Sequence, residues 1–180
     1  AFIVAQQAGI QTNVIKNSLK NFSGVSRRFE EKGTIQINGK EVLVVDDYGH
    51  HPTEIKSTIQ AAKSKYKGKP INMIFQPHRY SRSSILFREF ISVLSETDSV
   101  QLMDIYSAGE ANTSGISSYD FVDSLLRKDV DVKYAKNLNQ IRKNLNESIK
   151  KDSILIIQGA GNVSDITASL MAIGKKWKEL

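Results

Sequence analysis

The sequence contains no cysteine among its 180 residues. This absence excludes disulfides, thiolate metal sites and cysteine nucleophiles, and it fits a protein of the reducing cytoplasm. No apolar run approaches the length of about 20 residues that a membrane-spanning helix needs. The opening AFIVAQQAGI lacks an initiator methionine and a basic flank, so it does not resemble a signal peptide. We therefore expect it to be the interior of a helix in a longer protein.

The sequence also lacks common nucleotide-binding and hydrolase motifs. It has no GxxxxGK[ST] phosphate loop, no GxSxG nucleophile elbow and no convincing cluster of metal ligands. Its net charge is +6, but the lysines are scattered over segments typical of solvated helix faces. They are not interleaved with aromatic residues, as a base-stacking surface would require. We therefore expect anionic small molecules as ligands, with no nucleic acid and no membrane as a partner.

Apolar residues make up 40% of the chain and charged residues 24%, as in ordinary globular domains. Short apolar runs alternate with helical patterns, which predicts a three-layer α/β fold. Its mainly parallel, doubly wound (Rossmann-like) sheet would carry helices on both faces and an N-terminal hairpin turning at Gly39-Lys40. The predicted strands are 34–38, 41–46, 71–76, 99–105, 131–134 and 153–158, and the predicted helices are 2–22, 52–66, 82–95, 117–128, 137–149 and 163–178.

Ligands of open α/β sheets bind beyond the carboxyl ends of the strands, so the residues after each strand are informative. All three histidines, two arginines and the most glycine-rich turn follow predicted strands, and they would gather at one edge of the sheet. The segments concerned are DYGHH at 47–51, PHRYSR at 77–82, YSAGEANTSG at 106–115 and GAGN at 159–162.

Each segment also has a simpler interpretation. Asp46 or Asp47 would cap a turn, Arg79 and Arg82 would be solvated charges on a helical turn, and GAGN is too short for a dinucleotide fingerprint. The edge would hold no ligand site only if the simpler interpretation were correct at all four strand ends. We therefore expect a ligand site. Its arginines and histidines suit a carboxylate or phosphates, because guanidinium offers a planar fork of donors.

Four runs in this order, VDDYGHHPTE, FQPHRYSR, DIYSAGEA and QGAGN, closely resemble the C-terminal domain of the Mur ligase family. FSGVSRRFE resembles the junction before that domain, and the likeness extends from about residue 1 to about residue 172. YGHHPTE together with QPHRYSR favours the alanine-adding branch, although the branch that recycles murein peptides shares much of this pattern. The resemblance implies that 1–24 is the last helical part of a central ATPase domain, 25–33 a junction and 34–180 the C-terminal domain.

The resemblance implies an ATP-dependent ligase that joins L-alanine to UDP-N-acetylmuramate through an acyl phosphate, in peptidoglycan precursor synthesis. ATP and Mg would be bound mainly by a central domain that this sequence lacks, so the chain by itself would be inactive, with no catalytic residue of its own. By motif match, Arg28 and Asp47 would contact the nucleotide, and His51 would support the loop beside Pro52. The amino acid would be surrounded by Tyr48, His50, His78, Arg79 and Arg82.

Two other functions fit the residues themselves. The chain could be a free-standing α/β module that binds a small anion without catalysis. It could also be a nucleic-acid-binding domain that uses its positive charge. A phosphate loop in the sequence preceding this chain would distinguish the ligase from both.

Overall fold

The computed structural model describes residues 1–22 and 24–174. In the described part, no helix is long and apolar enough to cross a membrane. The helices are α1 (Phe2–Gln7), α2 (Thr12–Lys20), α3 (Pro52–Lys65), α4 (Tyr80–Ile85), α5 (Phe87–Leu94), α6 (Ser118–Leu126), α7 (Leu138–Ser148) and α8 (Ser164–Gly174). The strands are β1 (Glu30–Ile37), β2 (Lys40–Asp47), β3 (Ile71–Phe75), β4 (Ser99–Leu102), β5 (Asp131–Tyr134) and β6 (Ser153–Gln158).

The six strands form one sheet in the order β1-β2-β6-β3-β4-β5. All neighbours are parallel except the β1–β2 pair, which is antiparallel. One apolar cluster packs α3, α5 and α6 against one face, and a second packs α7 and α8 against the other. Every residue of β3 and β6 is buried, because helices cover both faces of the central strands. The predicted three-layer α/β fold with an N-terminal hairpin is confirmed.

The hairpin differs in detail from its prediction. Ile37 pairs with Lys40, so the turn is Asn38-Gly39 and not Gly39-Lys40. Both turn residues have positive φ, 52° and 70°, as a two-residue type I′ turn requires. β1 also begins at Glu30, four residues before the predicted start at Thr34. Its first half is a polar edge with a bulge after Glu31, so it lacks the apolar alternation that marks a strand.

Other predicted boundaries also need correction. The helix predicted for 82–95 begins at Tyr80 and is divided at Leu86 into α4 and α5. The strand predicted for 99–105 ends at Leu102. The segment 2–22 contains two helices, separated by a turn at Gly9, where φ is 77°. The predicted helix end at Ser23 and the predicted helical residues 175–178 lie outside the described residues.

The two N-terminal helices differ from the rest of the chain in their burial. Among residues 1–22 only Ile15 is buried, whereas Ile3, Val4 and Phe22 are each more than 60% exposed. An apolar face of this kind fits a segment that packs against another part of a longer protein. The division of the chain at residue 24 remains a prediction.

Candidate functional site

The sheet order brings the informative strand ends together. β6 lies between β2 and β3, and β4 lies next to β3, so the carboxyl ends of these four strands are neighbours. The parallel register places Asp47 opposite Gln158, and Gln158 opposite Phe75. The segments after these strands therefore meet at one edge of the sheet, as the sequence predicts for a ligand site.

Four aromatic rings cross this edge in a row from β2 to β4. Tyr48 and His50 have ring centres 5.5 Å apart in an edge-to-face arrangement, and His50 and His78 are also 5.5 Å apart. His78 then stacks on Tyr106, with centres 5.4 Å apart and planes 17° apart. We call these four residues the aromatic row. The sequence selects Tyr48, His50 and His78 as site residues, and the structure adds Tyr106 to them.

His78 is held at the end of β3 by backbone contacts with the segment after β4. The Tyr106 N–H donates to the Pro77 carbonyl oxygen at 2.8 Å, and the Arg79 N–H donates to the Tyr106 carbonyl oxygen at 2.7 Å. Burial lowers the pKa of His78, and the nearby His50, Arg82 and Arg79 lower it further. The imidazole is therefore neutral at neutral pH.

Arg82 contacts His78 from α4. Its Nη1 lies 3.3 Å from His78 Nδ1 and donates to the His78 carbonyl oxygen at the same distance. A guanidinium has only donors, so the contact requires Nδ1 to be the unprotonated nitrogen of His78. This arrangement agrees with the lowered pKa of His78.

Arg79 precedes α4 in an uncommon backbone conformation, with φ of 71°. Its guanidinium is 50% exposed and has a loose ion pair with Glu110, at 3.7 Å. Glu110 accepts hydrogen bonds from the Ser81 N–H and hydroxyl, at 3.1 and 2.8 Å, which hold its pKa below its usual range. Arg79 and Arg82 therefore keep donors available beside the aromatic row, as carboxylate binding requires.

Asp47 is buried, and both of its carboxylate oxygens accept hydrogen bonds inside the protein. Oδ2 accepts from the Phe29 N–H at 2.8 Å. Oδ1 accepts from the Gly49 N–H and from Gln158 Nε2, both at 2.7 Å. Asp47 therefore joins the segment before β1, the loop after β2 and the end of β6. Its contact with a nucleotide remains a prediction.

Arg28 is an exposed neighbour of Tyr48. Its guanidinium is 52% exposed, lies 5.5 Å from the centre of the Tyr48 ring and has a long ion pair with Glu54, at 3.5 Å. These contacts leave most of its donors free. Its contact with a nucleotide remains a prediction.

The adjacent histidines have different environments. His50 belongs to the aromatic row, and its Nδ1 lies 3.8 Å from Glu54 Oε2. His51 is the N-cap of α3, where its ring nitrogen accepts from the Thr53 N–H. Glu54 completes this capping box by accepting from the N–H groups of His50 and His51. Burial by itself raises the pKa of Glu54, but these amide donors bring it below its usual value.

Two buried glutamines support the edge, and the sequence motifs did not single them out. Gln158 donates to Asp47 and to the Gly49 carbonyl oxygen, and Gln76 donates to Asn162 Oδ1 at 2.9 Å. A Cβ on Gly161 would lie 2.4 Å from Gln76 Oε1, so this glycine allows the close approach. The QGAGN run places a glutamine at the end of a buried strand and glycines directly after it. This pattern is the sequence feature that could have indicated the close packing at this edge.

Among the described residues, no group of three or more histidine, cysteine, aspartate or glutamate side chains could hold a metal ion. The edge therefore offers cationic donors, neutral imidazole and aromatic faces to a ligand. These groups suit a small molecule with a carboxylate.

Comparisons with known proteins point to one family. A family profile for the Mur ligase, glutamate ligase domain, matches residues 27–161. A relative from Agathobacter rectalis is 43% identical over 171 residues, covering 95% of this chain and 36% of the relative. One from Psychrobacter arcticus is 39% identical over 175 residues, covering 96% of this chain and 36% of the relative. Both relatives are named UDP-N-acetylmuramate–L-alanine ligase.

Solved structures show the same fold. The structure of UDP-N-acetylmuramate–alanine ligase MurC from Thermotoga maritima matches with a TM-score of 0.75 and 23% identity, over 98% of this chain and 36% of that chain. A murein peptide ligase from Psychrobacter arcticus matches with a TM-score of 0.66 and 18% identity, over 99% and 36%. The chain spans about a third of the length of the curated relatives that it matches. It belongs to the Mur ligase family and carries that family's C-terminal domain.

Proposed function

We propose that this chain is the C-terminal part of an ATP-dependent ligase that forms a C–N bond between L-alanine and UDP-N-acetylmuramate, in peptidoglycan precursor synthesis. The observation that carries the proposal is the aromatic row, with two partly free arginines beside it at adjacent strand ends. Relatives that are 38–43% identical over nearly the whole chain carry the name of this ligase, which supports the same activity. A cytoplasmic location is part of the proposal, because a cysteine-free sequence fits a reducing compartment.

The amino acid would bind to the part of the edge formed after β3. Arg79 and Arg82 would hold its carboxylate, because each guanidinium has donors that no internal acceptor uses fully. Tyr48 and His50 would contact the rest of the molecule from the β2 side. The neutral His78 keeps Arg82 in place through its Nδ1 and carbonyl oxygen.

The nucleotide would contact the β2 side of the edge. Arg28 would reach it with its exposed guanidinium, and Asp47 would accept from it through a lone pair that its three internal hydrogen bonds leave free. ATP, when bound, supplies the phosphoryl group that activates the carboxylate of the sugar. The described residues form no metal cluster, so Mg and the phosphates would be held mainly by another part of the full-length protein.

The experiment uses the full-length protein that contains this chain. Phosphate release is measured with UDP-N-acetylmuramate, ATP and magnesium, with and without L-alanine. We expect release that depends on L-alanine. Release that depends instead on a peptide such as L-alanyl-γ-D-glutamyl-meso-diaminopimelate would assign the protein to the murein-peptide branch.

The isolated 180-residue chain provides the second arm of the experiment. We expect no turnover from it, because phosphoryl transfer needs positioned cations and backbone donors, and the sequence has no phosphate loop. Turnover above the blank that persists through repurification would contradict the proposal that another part of the full-length protein holds Mg and the phosphates.

A further inference from the structure

Arg27 has no role in the sequence motifs, yet its side chain contacts two neighbouring strand ends. Its Nη2 donates to the Gly159 carbonyl oxygen at 2.6 Å, and its Nε lies 3.3 Å from Asp46 Oδ1. Its guanidinium carbon also lies 5.1 Å from the centre of the Tyr48 ring. One side chain therefore connects the end of β2, the segment after β6 and the first member of the aromatic row.

The backbone around Arg27 is bound to the same edge. The Arg27 N–H donates to Glu30 Oε2 at 2.8 Å, and the Arg27 carbonyl oxygen accepts from the Tyr48 N–H at 2.7 Å. Two residues later, the Phe29 N–H donates to Asp47. Arg27 and Phe29 have positive φ, 56° and 48°, which is uncommon for residues with a side chain and persists only where surrounding contacts hold it.

The neighbouring arginine is held quite differently. The Arg27 side chain is 22% exposed and pairs with Asp46, whose side chain is 4% exposed. Arg28 is 52% exposed, and its ion pair with Glu54 is long. Both guanidinium groups lie within 5.5 Å of the centre of the Tyr48 ring. The anchored Arg27 and the exposed Arg28 are therefore both neighbours of Tyr48.

We propose that Arg27 is a positioning residue of the ligase, which anchors the segment before β1 so that Arg28 and Tyr48 face their ligands in a fixed geometry. In this proposal the role of Arg27 is to hold the edge, because its Nε and Nη2 contact Asp46 and Gly159. An arginine is needed because its planar fork reaches two acceptors at once, whereas a lysine offers one compact charge. This inference rests on the proposed function, since Arg28 and Tyr48 have ligands only in a ligase.

The first experiment measures amide hydrogen exchange in the 180-residue chain. Arg27→Gln should make the amides of Phe29 and Tyr48 exchange at least about tenfold faster, because the anchor of both hydrogen bonds is lost. The amide of Val100, in buried β4, should be unchanged. The control is Arg88→Gln, which removes an exposed arginine of α5 and should leave all three amides unchanged. Unchanged exchange at Phe29 and Tyr48 in Arg27→Gln would overturn the proposal.

The second experiment compares variants of the full-length ligase. Arg27→Gln should raise the KM for ATP and the KM for L-alanine together, each about fivefold or more, since Arg28 and Tyr48 both lose their position. Arg28→Gln should raise the KM for ATP alone. Arg27→Lys should restore part of the loss. A lower melting temperature with both KM values unchanged would show that Arg27 is only structural, and would overturn the proposal.

Arg27→Gly separates the side chain from the strained backbone. Glycine adopts positive φ readily, so this variant removes the guanidinium without adding strain. We expect the same rise in both KM values as in Arg27→Gln, and wild-type KM values in Arg27→Gly would overturn the proposal. If the full-length protein shows no turnover with L-alanine, the proposed function fails, and the exchange experiment still decides whether Arg27 anchors the edge.

Discussion

The two halves of the candidate site are built differently. In the half formed after β2 and β6, buried and partly buried polar groups bond to each other, at 2.6–2.8 Å for Arg27–Gly159 and for Asp47 and at 3.3 Å for Arg27–Asp46. In the half formed after β3 and β4, the guanidinium contacts are 3.3–3.7 Å long, and Arg79 is half exposed. The buried groups of the first half bind mainly to one another, with Gln158 Oε1 left without a hydrogen-bond partner, and we interpret them as a frame. The second half keeps charged donors available for a ligand.

This contrast separates the expected consequences of substitution. A change in the frame leaves buried donors or acceptors without partners, so it should lower the free energy of unfolding. A change among the exposed cations should leave folding nearly intact and weaken ligand binding. Substitutions in each half test this separation.

Asp47→Ala should have the largest effect. It would leave the N–H groups of Phe29 and Gly49 and the Nε2 of Gln158 without their acceptor. Each buried unpaired donor costs about 1–3 kcal/mol, so we expect the free energy of unfolding to fall by about 3 kcal/mol or more. Urea unfolding of the chain measures it, with Asp123→Ala on the exposed surface of α6 as the control. A loss below about 1 kcal/mol would show that Asp47 is not part of a frame.

Arg79→Ala and Arg82→Ala should act on binding instead. In the full-length ligase each should raise the KM for L-alanine about 10- to 100-fold, the worth of a charge-assisted contact of roughly 1.5–3 kcal/mol. Stability should change by less than about 0.5 kcal/mol for Arg79→Ala, whose guanidinium is exposed. Arg127→Ala, in an exposed position after α6, serves as the control. A raised KM for ATP, with the alanine value unchanged, would move these arginines to the nucleotide.

The adjacent histidines His50 and His51 test the contrast between a ligand-binding and a structural residue. His50→Ala should reduce alanine-dependent turnover at least about tenfold, or roughly 1.4 kcal/mol of transition-state stabilisation. His51→Ala should leave turnover unchanged and lower stability by about 1 kcal/mol, because α3 loses its N-cap. His51→Ser, which retains a capping acceptor, should recover that stability. The opposite pattern, with His51→Ala inactive and folded while His50→Ala is active, would reverse the two roles.

The pH dependence of stability gives the smallest effect. Because the pKa of His78 is lowered in the folded protein, the unfolded chain binds this proton more readily below its ordinary pKa of about 6.5. The contribution of neutral His78 is therefore complete above about pH 6.5 and is lost as the pH falls. Urea unfolding of the wild type and of His78→Gln, each at about pH 7.5 and about pH 5.5, measures it. We expect a larger loss on acidification in the wild type, and equal losses would contradict the prediction.

The sequence predicted the architecture because buried strands leave a strong local signal. The apolar runs of β2, β3 and β6 mark central strands with both faces covered, and their order with the helices indicates a parallel sheet. The break at Leu86 and the early start of β1 left no comparable signal. An exposed edge strand and a short interruption between helices bury too little apolar surface to be seen in the pattern.

The sequence also located the candidate site, because parallel strands bring the residues that follow them to one edge. The family resemblance singled out one member of each adjacent pair, Arg28, Asp47 and His50, but the contacts that distinguish the two members of each pair come from the tertiary structure. Arg27 is anchored and Arg28 is exposed, Asp46 pairs with Arg27 while Asp47 joins three segments, and His51 caps a helix while His50 enters the aromatic row. The members of each pair are chemically identical, so composition and spacing cannot distinguish them. Backbone direction and the partners met across the sheet edge distinguish them, and both arise only when distant segments pack together.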